Sequence, residues 1–166
     1  MPLPEFAPAP YGVDEQAFVA AADAVRAYCG WHVAPVVEET LILDGRGGGR
    51  LILPTLRVVD ILSLTVDGTI VDEPVWSTAG ILWGRFPDRP RSVTVTLQHG
   101  YETAPLEIVN LVAAMAAAGS VAAVPASAQV DDARITFAQP AAPYTTGGFT
   151  AGQRSLLDRY RLPVLA

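Results

Sequence analysis

The stretch VRAYCGWHVAPVVEETLILDG, Val25 to Gly45, carries a helix to a stop at Gly30 and turns through an aromatic corner into β-type sequence. A second junction, TVTLQHGYETAPLEIVNLVAAM from Thr94 to Met115, runs the opposite way, from strand into helix. Together they predict an α+β fold: a small helical core with helices near 14–29, 104–118 and 150–161, and an antiparallel β-rich module inserted at about 36–98. The 166 residues fit one domain, 1–166, able to bury a core without disulfides or metals.

Around the first junction, Phe18, Ala21, Ala22, Val25, Tyr28 and Cys29 share one helical stripe, and Asp14 and Glu15 sit at the positive end of the helix dipole. Gly30 supplies a left-handed stop, and Trp31 and His32 read as packing at a corner. Around the second, Pro105 and Glu107 suit a first helical turn. Beyond them Leu106, Ile108, Val109, Leu111, Val112 and Met115 leave no clear polar stripe, so the helix is expected to be buried on several sides. Either one of those sides meets a neighbouring subunit through Ile108, Leu111, Val112 and Met115, or the helix is a central one enclosed by the chain's own sheet.

Between the junctions, Thr40–Leu43 and Leu51–Pro54 flank Asp44-Gly-Arg-Gly-Gly-Gly-Arg50, which reads as a hairpin tip. Val58–Val66, a turn at Asp67-Gly68 and a return at Thr69–Val71 form a second hairpin. Shorter strands are expected at Val75–Ser77, Ile81–Trp83 and Ser92–Leu97, with Arg85-Phe-Pro-Asp-Arg89-Pro-Arg91 as a surface connection between the last two. Arg46, Arg50, Arg85, Arg89 and Arg91 are thus candidate exposed loop contacts.

Residues 1–13 read as an extended N-terminal arm. Residues 120–149, rich in Ala, Pro, Gly, Thr and Ser, specify little order beyond a strand at Arg134–Phe137. The segment 150–166 opens on a capping-box pattern, Thr150-Ala-Gly-Gln153, and puts Leu156, Leu157 and Tyr160 on one face.

A net charge of −6 excludes a protein that grips nucleic acid by phosphate neutralisation over its whole surface. The single cysteine, Cys29, requires no oxidising compartment, and Leu106–Val124 is too polar and short for a membrane span, so the cytoplasm is the default expectation. The charged share of 17% is low and suits a subunit that hides surface in an assembly.

No chemical motif is complete. The glycine cluster lacks a Lys-Ser/Thr ending and a following helix, which argues against a phosphate loop. Cys29-x-x-His32 is half a zinc site, and a cysteine on an apolar helical stripe is ordinarily inert. Carboxylates adjacent in sequence, Glu38-Glu39 and Asp131-Asp132, point to opposite faces of a strand. The expectation is therefore no catalytic residues, no metal and no cofactor. A small hydrolase or ligand-binding β-domain using His32 or His99 is the rival from a different class.

The order AYCGWHVAP, ETLILDG, SVTVTLQHGYETAPLEIVNLVAAMAA and terminal LLDRYR resembles the head-to-tail connector (adaptor) proteins of tailed bacteriophages with actinobacterial hosts, over about Asp14 to Arg161. The resemblance implies a non-enzymatic virion protein, built into a ring of usually twelve copies at the neck after assembly in the host cytoplasm. Its implied partners are the portal protein and the next neck or tail protein, with DNA passing through the lumen without specific binding and no membrane contact. It also implies a docking role for the tail through Leu156, Leu157, Tyr160, Arg161 and Leu162, so that truncation after Thr150 would leave the core folded. Another neck component, a stopper or tail terminator, is the nearest alternative.

Overall fold

The computed structural model describes residues 5–120, 127–130, 133–136 and 149–163. Helix α1 spans Glu15–Cys29; the Asp14 carboxylate caps it by accepting from the Ala17 amide at 2.8 Å, and Gly30 ends it at φ 80°. Helix α2 spans Leu106–Ser120 and α3 spans Ala151–Leu157, followed by a 3₁₀ turn at Asp158–Tyr160. The capping box of α3 is complete: Gln153 N–H donates to Thr150 Oγ1 at 3.3 Å, and Thr150 N–H donates to Gln153 Oε1 at 2.8 Å.

The three helices share one apolar cluster. Phe18, Val25 and Cys29 of α1, Ile108, Val112 and Met115 of α2, and Leu157 of α3 are buried together with Trp31 and Val33. Helix α2 leaves Leu106, Asn110, Ala114 and Ala117 exposed, so it is enclosed on one side only. Its alanines supply the outer face, which is why hydropathy alone overstated its burial. The expected N-terminal arm is partly packed: Phe6 is buried under the Arg26 guanidinium, 5.3 Å from its ring centroid.

The β-module is built from β1 (Val37–Ile52), β2 (Val58–Val66), β3 (Thr69–Ile70), β4 (Val75–Ser77) and β5 (Ile81–His99), all antiparallel. Sheet order is β1-β5-β2-β3, with β4 on the far end of β5. The Asp67-Gly68 turn joins β2 to β3 as expected. The expected hairpin tip at Asp44–Arg50 is instead strand, and so is the expected connection at Arg85–Arg91. The two segments pair with each other, Gly45 opposite Arg89, Arg46 opposite Asp88 and Gly48 opposite Phe86.

Bulges make this pairing possible. The register shifts between Leu43 and Gly45, where Arg91 takes φ 52°, its amide donates to Asp44 Oδ1 at 2.7 Å, and Gly45 N–H donates to Ser92 Oγ at 3.2 Å. Gly45 is required for space: a Cβ there would stand 2.0 Å from the Pro87 carbonyl oxygen. Pro87 and Pro90 are tolerated because β2 pairs with β5 only from Val93 onward and β4 only at 81–83, leaving one side of β5 unpaired between. Beyond the bulge, Leu51, Leu82 and Phe86 pack against Leu64, Val93, Val95 and Leu97 in a second apolar cluster. The far half of the β1–β5 ribbon thus covers the near half, giving two β layers around one core.

A further hairpin, β6 (Ser127–Val130) with β7 (Ala133–Thr136), includes most of the expected strand at Arg134–Phe137; Phe137 and the rest of 137–148 lie outside the described residues.

Candidate functional site

The polar centre of the fold lies at the corner where α1 ends, β1 begins and β5 ends. His32 Nε2–H is shared between the carbonyls of Pro35 at 2.9 Å and His99 at 3.0 Å, which fixes that nitrogen as the protonated one. Gly100 lets this happen, since a Cβ there would be 2.5 Å from His32 Nε2. The two imidazoles meet edge to face at 4.4 Å. His99 Nε2 lies 3.1 Å from Glu39 Oε2, and because the carboxylate accepts, His99 Nδ1 is left as a buried acceptor with no partner among the described residues. Arg26 completes the corner, donating from Nε to the His32 carbonyl at 3.0 Å and from Nη2 to the Ala34 carbonyl at 2.9 Å.

These groups border a cleft of about 500 Å³ with Trp31, Leu41 and Pro54. Burial lowers the His32 pKa to about 4, with His99 adding to the shift, so His32 is neutral at pH 7. Burial also lowers His99, against the opposing pull of Glu39. Cys29 lies one turn away and is fully buried; burial pushes its thiol up to about 11, so it is a thiol rather than a thiolate. Among the described residues, no serine, threonine or cysteine is hydrogen-bonded to either histidine, and no group of three metal-ligating side chains converges. The corner's polar groups hold backbone carbonyls together, as expected of a packed junction at Trp31 and His32.

One pH effect follows from His32. Its folded pKa lies below its ordinary value of 6.5, so its neutral form contributes full stability above pH 6.5, and that contribution is lost as pH falls toward 4. The expected loss by pH 4 is of the order of 3 kcal/mol. Urea unfolding of the wild type and His32→Gln at pH 7 and pH 4.5 checks this. The variant is weaker at pH 7, and the gap between the two narrows at pH 4.5.

The sequence-level candidates fall differently. Ile108, Val112 and Met115 are buried in the subunit's own core, and Leu111 is half-buried against it, so of the four residues expected at a subunit interface only Leu111 keeps appreciable accessible surface. The tail also packs on its own subunit. Leu157 is fully buried, and Leu156, Tyr160 and Leu162 pack around it on the chain's own helices. Trp31 Nε1–H donates to the Tyr160 carbonyl at 2.7 Å, Leu162 N–H to the Cys29 carbonyl at 2.9 Å, and Tyr28 to Asp158 at 2.7 Å. Tyr160 and Arg159 both reach Glu107 of α2. Arg161 alone of the five expected docking residues is exposed, over the Tyr28 ring at 5.1 Å.

Arg46, Arg50, Arg85, Arg89 and Arg91 are all exposed. They lie along the paired ribbon of β1 and β5, not on two separate loops. Of the five, only Arg89 has an ionic partner among the described residues, Asp67 at 3.0 Å. Sequence reading found the arginines but missed that their two segments pair, which puts Arg46 and Arg89 on opposite faces of one ribbon; the signal was the match in length between the glycine segment and the arginine segment.

No family model and no curated protein matches the chain. Solved structures do. A chain in the neck of a native GTA particle, computed with C12 symmetry, superimposes with a TM-score of 0.60 at 17% identity, over 99% of this chain and 98% of that one. A chain in the neck of an empty GTA particle, computed with C6 symmetry, gives 0.55 at 17% identity over 90% and 78%. The likeness is one of fold. At 99% coverage of this chain, the first of these matches takes in both helical junctions and the β-module. Among the described residues no helix is long and apolar enough to cross a membrane.

Proposed function

We propose that this chain is a non-enzymatic structural subunit of the neck of a tailed, phage-like particle, a head-to-tail connector. Copies form a ring between portal and tail, extend the DNA channel and receive the next neck component. The observation that carries this reading is the end-to-end correspondence of fold with a chain from a particle neck. The C12 symmetry of that neck supports twelve copies. A His32 ring committed to two backbone carbonyls and a Cys29 thiol held protonated support work done by shape and docking. A net charge of −6 suits a conduit that DNA crosses without sticking.

Native mass spectrometry and negative-stain microscopy with and without purified portal test the reading. The expected result is a closed ring seated on portal. A chain that ignores portal and binds only the tail end is a stopper or tail terminator instead, and one that never oligomerises in either setting overturns the ring.

A further inference from the structure

The β-module has two outer faces of opposite character. On the far layer, Val75 of β4, Trp83 of β5 and Arg50 of β1 form one row across three strands. Their neighbours Leu82 and Leu51 are buried, so this row points outward. Val75 is 63% exposed, Trp83 40% and Ile52, two residues along β1, 46%. Arg85 lies two residues beyond Trp83, and neither Arg50 nor Arg85 has an ionic partner among the described residues. An exposed tryptophan between free guanidiniums is the composition of a contact centre.

The near layer turns its outer face the other way. Glu38 and Asp60 flank Gln98 in one row, both exposed. The two bulges in β2 throw Val59 and Leu62 outward, at 44% and 46% exposure, and Ile42, at 51%, stands on β1 across the Thr94 and Thr96 side chains of β5. This face sets those apolar side chains around a hydroxyl-bearing middle, Thr40, Thr96 and Ser63, and ends in an acidic edge, whereas the first is apolar with a basic edge. Because the layers pack on each other through the second apolar cluster, the two faces look away from one another on opposite sides of one module.

We infer that these faces are the two halves of a head-to-tail contact between copies of this chain: the Trp83–Arg50–Arg85 face of one β-module seats on the Glu38–Asp60 face of the next. This rests on the ring reading above. Two different, complementary patches on opposite sides of a subunit generate a heterologous interface, and such an interface closes into a ring or runs on as a filament. Charge complementarity fixes the register, and Trp83 with Leu62 and Val59 supplies apolar contact.

A charge-swap set tests the contact by native mass spectrometry and microscopy, under conditions in which the wild type assembles. R50E/R85E and E38R/D60R are each expected to raise the concentration for half-assembly at least about tenfold. Mixing the two variants, or combining all four changes in one chain, restores it, because each contact again joins opposite charges. All four positions are exposed, and circular dichroism verifies folding; W83S, which carries no charge change, is expected to weaken assembly as well. A wild-type ring unmoved by these changes overturns this contact and leaves the ring standing. Wild type that never assembles removes both. Variants that assemble normally but lose retention of a labelled DNA duplex overturn the contact and assign the arginines to nucleic acid.

Discussion

Val112→Asp is expected to abolish the folded state. Val112 is completely inaccessible, packed among α1, α2 and α3, and no described cation reaches it. Burying a carboxylate there costs about 4 kcal/mol or more, against a total stability of roughly 5–15 kcal/mol for a domain. Val112→Ala is the comparison: it leaves a small cavity without a buried charge and is expected to cost less than half as much. Thermal melts by circular dichroism separate the two. A folded, monomeric Val112→Asp protein would show that α2 turns this face to a neighbour, as its hydropathy first suggests, and not to α1.

Truncation after Thr150 is expected to strip the helical core of its third wall. The removed segment carries Leu157, fully buried, with Leu156, Tyr160 and Leu162 packed beside it. Each such side chain contributes about 1.5–3 kcal/mol when fully buried. Hydrogen bonds from Trp31 and Leu162 are lost too, and the Trp31 indole N–H is left without its acceptor. Ordering fifteen or so residues opposes these gains, so the net loss is smaller than their sum. The single change Leu157→Ala isolates the packing: roughly 2–5 kcal/mol, and a melting temperature lower by about 5–20 °C. A truncated chain that melts at the wild-type temperature would return the segment to the role of a free docking tail.

Much of this was legible beforehand. Asp14 and Gly30 bracket α1 because capping is a local matter of one side chain and one backbone angle. Thr150 and Gln153 start α3 for the same reason. The Asp67-Gly68 turn needs only two residues with positive φ, and both have it. Ser92–Leu97 alternates because one face meets the second core. By contrast, Gly45–Gly49 and Phe86–Pro90 look like loops, since glycine and proline are poor strand formers in isolation. They are strand because each finds the other across a ladder with a free side and a bulge.

The candidate surfaces divide along the same line. The arginines, Trp83 and the acidic residues are visible as letters, but their grouping into two faces follows from register, which shifts by two between Leu43 and Gly45 and by one, reversing which side a residue faces, between Gly48 and Arg50 and at the two bulges of β2. The capped helices, the aromatic corner and the order of helix, β-module and helix were thus determined by the sequence alone, through short-range capping, periodicity and turn chemistry. Which side of α2 is buried, where the tail docks and which residues share an outer face were decided only by the tertiary structure. Those outcomes depend on which distant segment supplies the partner atoms, and such pairings leave no mark on local residue preferences.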